Sequence, residues 1–142
     1  MNYRSTPSMF AALLVLSGTV RAHHSYAVFE SAKEATVVGT VAKLEWTNPH
    51  VFIWVYVPRA DDPASYDLYA FENGSPNALE KSGWSKTLPK AGDRIAVTYA
   101  PLRDGRKGGH WIIGTLADGR ALRGAGAPAS RNVPAPAAPA SP

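Results

Sequence analysis

The sequence contains no cysteine, which excludes a disulfide framework, a thiolate metal site and a cysteine nucleophile. It also lacks a strong excess of either charge. Two of its 15 basic residues, Arg4 and Arg21, belong to the N-terminal segment described next, and the remaining 13 stand against 11 acidic residues. A domain so close to neutral is a poor candidate for binding nucleic acid, although the whole sequence has a pI of about 9.5.

No apolar run is long enough to span a bilayer. The longest N-terminal run, residues 9–16, has eight apolar residues, and Val20 and Ala22 follow it as the small residues of a cleavage site. This layout predicts a signal peptide over residues 1–22 and export to the bacterial periplasm or the medium, with no transmembrane segment after cleavage. His23 would then be the first residue of the mature chain. The alternative is a buried N-terminal helix of a cytosolic protein.

The C-terminal segment has almost no bulky apolar side chains. Residues 124–142 include five prolines and seven alanines, so they cannot bury enough surface to offset the entropy lost on ordering. We therefore predict a disordered tail or spacer over residues 124–142. A single domain of about 100 residues, 23–123, remains between signal peptide and tail.

Alternating apolar and β-branched residues predict six strands, at residues 36–46, 50–57, 66–72, 94–100, 110–116 and 121–122. Gly39 suggests a bend or bulge in the first strand. A short helix is predicted over residues 75–83, with Ser75 as N-cap, Pro76 in the first helical position and Gly83 after the end. Three strands, a helix and further strands predict an all-β fold with one short helix, a small OB-like Greek-key barrel. Another small β-rich sandwich or roll is the alternative.

Five blocks of sequence together resemble an uncharacterised family of small exported bacterial proteins, catalogued as a domain of unknown function. The blocks are HHSYAVFE, EWTNPHVFIWV, FENGSPNALEKSGW, KAGDRIAV and DGRALRG. The resemblance extends from the signal peptide to about Gly124. It implies export and one small β-rich domain, and it implies no activity, substrate or catalytic residue.

The four histidines, His23, His24, His50 and His110, are the candidate metal ligands. Imidazole and amine nitrogens suit copper or zinc, and a mature N-terminal His23 would offer both. No H-x-x-x-H pair is present, so any site depends on the fold to bring His50 or His110 to the N-terminus. The alternatives are a solvated histidine pair that binds nothing and a His50 that only bonds within its turn.

Aromatic and polar residues near predicted turns are the candidates for contact with a ligand. Strand alternation places Phe52, Trp54 and Tyr56 on one face, where a small ligand could stack. The ligand-binding candidates are Trp46, Asn48, Trp54, Glu72, Asn77 and Trp84. For most of the rings, a place in the hydrophobic core is the competing interpretation.

The sequence contains no G-x-S-x-G, H-E-x-x-H or phosphate-binding loop, and we assign no catalytic residue. The leading hypothesis is a non-catalytic exported protein that binds a small ligand, a metal ion or an envelope protein. The first alternative is a copper or zinc protein that uses His23 with other histidines. The second is an envelope enzyme of unknown reaction.

Overall fold

The computed structural model describes residues 26–130 and 132–135. The predicted signal peptide, His23, His24 and the end of the predicted tail lie outside these residues. The described chain begins with a single 3-10 turn, Tyr26–Val28, and contains six strands and one helix. They are β1 (Ala35–Glu45), β2 (Phe52–Pro58), β3 (Tyr66–Glu72), α1 (Pro76–Glu80), β4 (Arg94–Pro101), β5 (Gly108–Leu116) and β6 (Ala121–Arg123).

The first five strands close into a barrel. β1 pairs antiparallel with both β2 and β4, β2 pairs with β3, and β4 pairs with β5. A short parallel pairing between β3 and β5 closes the ring, and β6 is added beside β5. This strand order, with the helix between β3 and β4, confirms the prediction of a small OB-like Greek-key barrel.

Alternation along β2 separates the core from the outer surface. Ile53 and Val55 are completely buried, whereas Trp54 is half-buried and Tyr56 is 48% exposed. The core also holds aromatic rings in edge-to-face contact, with Phe71 and Trp84 packed against Trp111 at centroid distances of 6.0 and 5.0 Å. Burial of such rings is the main favourable contribution to folding of a domain this small.

The helix α1 is shorter than the predicted helix at residues 75–83. Ser75 occupies the N-cap position, but its side chain makes no capping hydrogen bond, and its carbonyl accepts from the N–H groups of Ala78 and Leu79. Pro76 begins the helix as predicted, and Gly83 ends the following turn with a φ of 85°. Leu79 is buried, so α1 packs against the core.

The irregularity of β1 does not lie at Gly39. The register shifts between Val41 and Lys43, where β1 pairs with β2. Gly39 is required for another reason, because a Cβ there would collide with the carbonyl oxygen of Tyr56 on β2.

The packed chain continues a few residues past Arg123. The Gly124 N–H donates to the Ile112 carbonyl at 2.9 Å, and the Ala125 N–H donates to Oδ1 of Asn73 at 3.1 Å. Asn73 is only 1% exposed, and its Oδ1 also accepts from the Gly74 N–H at 2.9 Å. The first residues of the predicted tail therefore belong to the folded domain.

Candidate functional site

The outer faces of β2 and β3 line a concavity of about 350 Å³. The segment before β1 and the loop between β4 and β5 supply the rest of its lining. Most of the lining side chains are apolar, and they include Phe29, Phe52, Trp54, Ala70, Glu72 and Leu102. In OB-type barrels this strand face and its neighbouring loops are the usual place for a ligand.

Residues 27–30, which we call the N-terminal strap, form a fixed part of this lining. Arg103 donates from Nε to the Ala27 carbonyl at 3.0 Å and from its backbone N–H to the Val28 carbonyl at 2.9 Å. The Glu30 N–H donates to the Pro101 carbonyl at 2.8 Å. With the strap held in this way, Phe29 is 3% exposed although it lies outside the barrel strands.

Two histidines and a carboxylate come together beside the concavity. His50 lies near the end of the loop between β1 and β2, and its Nδ1 lies 2.5 Å from Oε1 of Glu72 at the end of β3. Glu72 is in register with His110 in the parallel pairing of β3 with β5, which places the two residues side by side. The ring of His110 packs against Phe29 at a centroid distance of 5.4 Å.

Electrostatics favour a neutral His110. Burial lowers the pKa of His110 below its ordinary value of 6.5, and the nearby charge of His50 lowers it further. A neutral imidazole keeps a nitrogen lone pair that can accept a proton or bind a metal ion.

The orientation of Trp54 is fixed by a neighbouring carboxylate. Its Nε1 donates to Oε2 of Glu45 on β1 at 3.2 Å, while Lys43 binds the other oxygen of the same carboxylate. The hydrogen bond from Lys43, and then that from Trp54, hold the pKa of Glu45 below its ordinary value of 4.5. The indole is thus held against β1, and its side chain still lines the concavity.

Only two of the six ligand-binding candidates line this concavity, Trp54 and Glu72. Trp84 is a core residue whose Nε1 donates to the Arg123 carbonyl at 2.7 Å, and Trp46 packs against the edge of the core. Asn48 and Asn77 are exposed, in the β1–β2 loop and on α1. Packing in and against the hydrophobic core therefore explains the positions of Trp84 and Trp46.

Of the four metal candidates, the structure describes His50 and His110, and each of them lies next to Glu72. His23 and His24 lie outside the described residues. Within residues 26–130 and 132–135, no three His, Asp or Glu side chains are arranged so that they alone could hold a metal ion.

Sequence reasoning missed the strap and the loop that anchors it. Phe29 lies before the first predicted strand, and Leu102 and Arg103 lie between the strands predicted at residues 94–100 and 110–116. Their role depends on contacts between residues more than 70 positions apart, such as the bond from Arg103 to Ala27. No local pattern reports such a contact.

The sequence matches the family of unknown function DUF6152 over residues 12–111. The chain belongs to this family. The match confirms the resemblance found in the sequence, and DUF6152 brings no assigned activity to the site described above. No curated protein and no solved structure is significantly similar to the chain. Among the described residues of this DUF6152 protein, no helix has the length and apolar character needed to cross a membrane.

Proposed function

We propose that this protein is an exported, non-catalytic binding protein of the bacterial envelope that takes a small ligand in the concavity between β2, β3 and the strap. The supporting observation is the concavity itself, a partly enclosed apolar surface on the barrel face that commonly binds ligands. Export is supported by residues 1–22, where the basic Arg4, the apolar run at residues 9–16 and the small residues Val20 and Ala22 follow one another as in a signal peptide.

The lining defines the chemistry of the ligand. Phe52, Trp54 and Phe29 offer ring surfaces to an apolar or planar body. Glu72, a carboxylate, favours a ligand that also has a hydrogen-bond donor. A nucleic acid is disfavoured, because the lining offers a single cation, Arg106, beside the carboxylate of Glu72, on a nearly neutral domain.

We do not extend the proposal to catalysis. No serine or threonine hydroxyl lines the described part of the concavity, and Glu72 is its only carboxylate. Glu72 also contacts His50, so it has a structural partner. A binding role requires no residue beyond those that line the concavity.

The proposal can be tested with a neutral fluorescent probe, N-phenyl-1-naphthylamine, which has an apolar body and one N–H donor. Ala70→Phe places a ring in the concavity, and aromatic residues are generally favoured in strands. The matched control is Leu68→Phe, two residues along the same strand, where the side chain is 45% exposed and does not line this concavity.

We expect saturable binding of one probe molecule to the wild type and to Leu68→Phe, and at least about tenfold weaker binding to Ala70→Phe, a loss of about 1.4 kcal/mol. Equal binding by Ala70→Phe and the wild type would show that the probe binds elsewhere. That result would remove the support for this concavity as the ligand-binding site.

A further inference from the structure

Two opposite charges line the concavity without neutralising one another. Glu72 lies at the end of β3, and Arg106 lies in the loop between β4 and β5, two residues before β5 begins. Glu72 is paired with His50 instead, and Arg106 is paired with Asp104. Among the residues that the structure describes, no ion pair joins Glu72 to Arg106. A ligand that has charges of both signs could therefore meet both groups in one cavity.

The guanidinium of Arg106 is held by its own turn. Its backbone N–H donates to Oδ1 of Asp104 at 3.1 Å, and its Nε donates to Oδ2 of the same carboxylate at 2.7 Å. Gly105 allows this turn with a φ of 77°. The two bonds fix the direction of the side chain and use only its Nε, so the two Nη nitrogens can donate to another acceptor. A carboxylate is the acceptor that such a planar pair of donors fits best.

Glu72 offers the complementary charge. Oε1 of its carboxylate lies 2.5 Å from Nδ1 of His50, and within the described part of the chain Oε2 accepts no hydrogen bond. An ammonium group can donate a charge-assisted hydrogen bond to this oxygen. The side chain of Glu72 is 22% exposed, whereas that of Arg106 is 75% exposed. The cationic end of a ligand would therefore bind at the shielded carboxylate and its anionic end at the rim.

The rest of the lining suits an apolar body. Phe52 and Trp54 on β2 are in register with Glu72 and Ala70 on β3, so these side chains share the outer face of the barrel. Phe29 of the strap adds a third ring. Rings of this kind bind planar apolar groups by stacking or by edge contacts. A concavity of about 350 Å³ is at the lower end of the range for small-molecule sites, so the ligand should be small.

We propose that the ligand of this concavity is a small zwitterion with an apolar or aromatic body, a free amino acid or a short peptide, whose ammonium group binds Glu72 and whose carboxylate binds Arg106. This inference rests on the proposed small-ligand function and names the class of ligand. A purely cationic or anionic ligand would pair with only one of the two charges, and a neutral ligand would pair with neither.

The test is isothermal titration calorimetry of the purified protein with four matched compounds. L-phenylalanine is a zwitterion, phenethylamine lacks its carboxylate, and 3-phenylpropanoate lacks its ammonium group. The dipeptide phenylalanylglycine keeps both charges but moves the carboxylate further from the ammonium group. We expect one zwitterion to bind per chain, at least about fivefold more tightly than either singly charged compound. The tighter of the two zwitterions identifies the source of the ligand as a free amino acid or a peptide.

The variants are Glu72→Gln and Arg106→Gln, and the matched control is Arg120→Gln. Arg120 makes the same two bonds to Asp118 in a second Asp-Gly-Arg turn, but it does not line this concavity. Glu72→Gln should bind the zwitterion at least about tenfold more weakly, and Arg106→Gln about fivefold, because water screens the exposed charge more strongly. Arg120→Gln should bind it as the wild type does. The melting temperature of each variant shows whether the fold is retained.

A thermodynamic cycle between protein and ligand separates a direct contact from general damage to the site. Loss of the ligand carboxylate should weaken binding about fivefold in the wild type and hardly at all in Arg106→Gln, because its partner is already absent there. Loss of the ligand ammonium group should likewise have little effect in Glu72→Gln. Equal losses in the wild type and in both variants would overturn the proposed pairing.

Binding of the naphthylamine probe, measured on the same preparations, distinguishes this inference from the proposed function. If the probe binds in the concavity and neither zwitterion binds, the inference is overturned and the proposed function stands. If neither the probe nor a zwitterion binds, both are overturned. Zwitterion binding that Ala70→Phe does not weaken would also overturn the inference, because the zwitterion would then bind outside this concavity.

Discussion

Replacement of Ile53 by asparagine tests the assignment of the two faces of β2. Ile53 is completely buried and lies opposite Leu44 on β1 and Phe71 on β3. Loss of a buried aliphatic side chain costs about 2–5 kcal/mol, and a buried amide without partners adds about 1–3 kcal/mol. Small domains have a total stability of about 5–15 kcal/mol, so Ile53→Asn should remove much of it.

Trp54→Ala provides the comparison one residue further along the strand. Trp54 is half-buried on the outer face, and its main polar contact is the hydrogen bond to Glu45. We expect a cost of about 1–2 kcal/mol from one hydrogen bond and partial burial. Ile53→Val, at about 0.5–1.5 kcal/mol, measures how closely the core is packed at the same site.

The assay is equilibrium unfolding in urea followed by circular dichroism, because the loss of Trp54 would alter the fluorescence signal directly. The reasoning requires Ile53→Asn to be several kcal/mol more destabilising than Trp54→Ala. If the two variants unfold at the same urea concentration, the outer face of β2 is as important to packing as the inner face. The ligand concavity would then be only a part of the hydrophobic core.

Three further predictions concern the ends of the chain and one ion pair. Mass spectrometry of protein exported by a bacterial host should show a chain that begins at His23, and an intact initiator methionine in the soluble envelope fraction would contradict export by cleavage. Removal of residues 129–142 should leave the melting temperature unchanged. Removal of residues 124–142 should lower it, because the hydrogen bonds from the Gly124 and Ala125 N–H groups to Ile112 and Asn73 are lost, each worth about 0.5–1.5 kcal/mol; equal melting temperatures would show that these packed residues do not stabilise the domain. Burial alone would raise the pKa of Asp93, but hydrogen bonds and charge from a neighbouring lysine outweigh it and hold that pKa below 3.8. Asp93 therefore contributes its full stabilisation above pH 3.8, its ordinary pKa, and this stabilisation is lost as the pH falls through the lower pKa of the folded protein. The difference in unfolding free energy between the wild type and Asp93→Asn should shrink in acid. A difference that is constant with pH would refute the contribution of this ion pair.

The strands could be predicted from sequence because their signals are local. Alternation of apolar and exposed residues identified β2 and β3, and the prediction for β3 at residues 66–72 agrees with the structure residue by residue. The helix was predicted too long because Ser75 and Gly83 delimit a helix followed by a turn, and the two together give the same sequence pattern as one helix.

The composition of the site was harder to predict, because residue type alone does not distinguish a core ring from a ring that contacts a ligand. Trp54 stands between two aliphatic residues in a strand and Trp84 between Gly83 and Ser85, yet it is Trp84 that is buried and bonded to the Arg123 carbonyl. Only the three-dimensional position of β6 makes that bond. The proximity of Glu72 and His110 likewise depends on the parallel pairing of β3 with β5, a contact that no local pattern specifies.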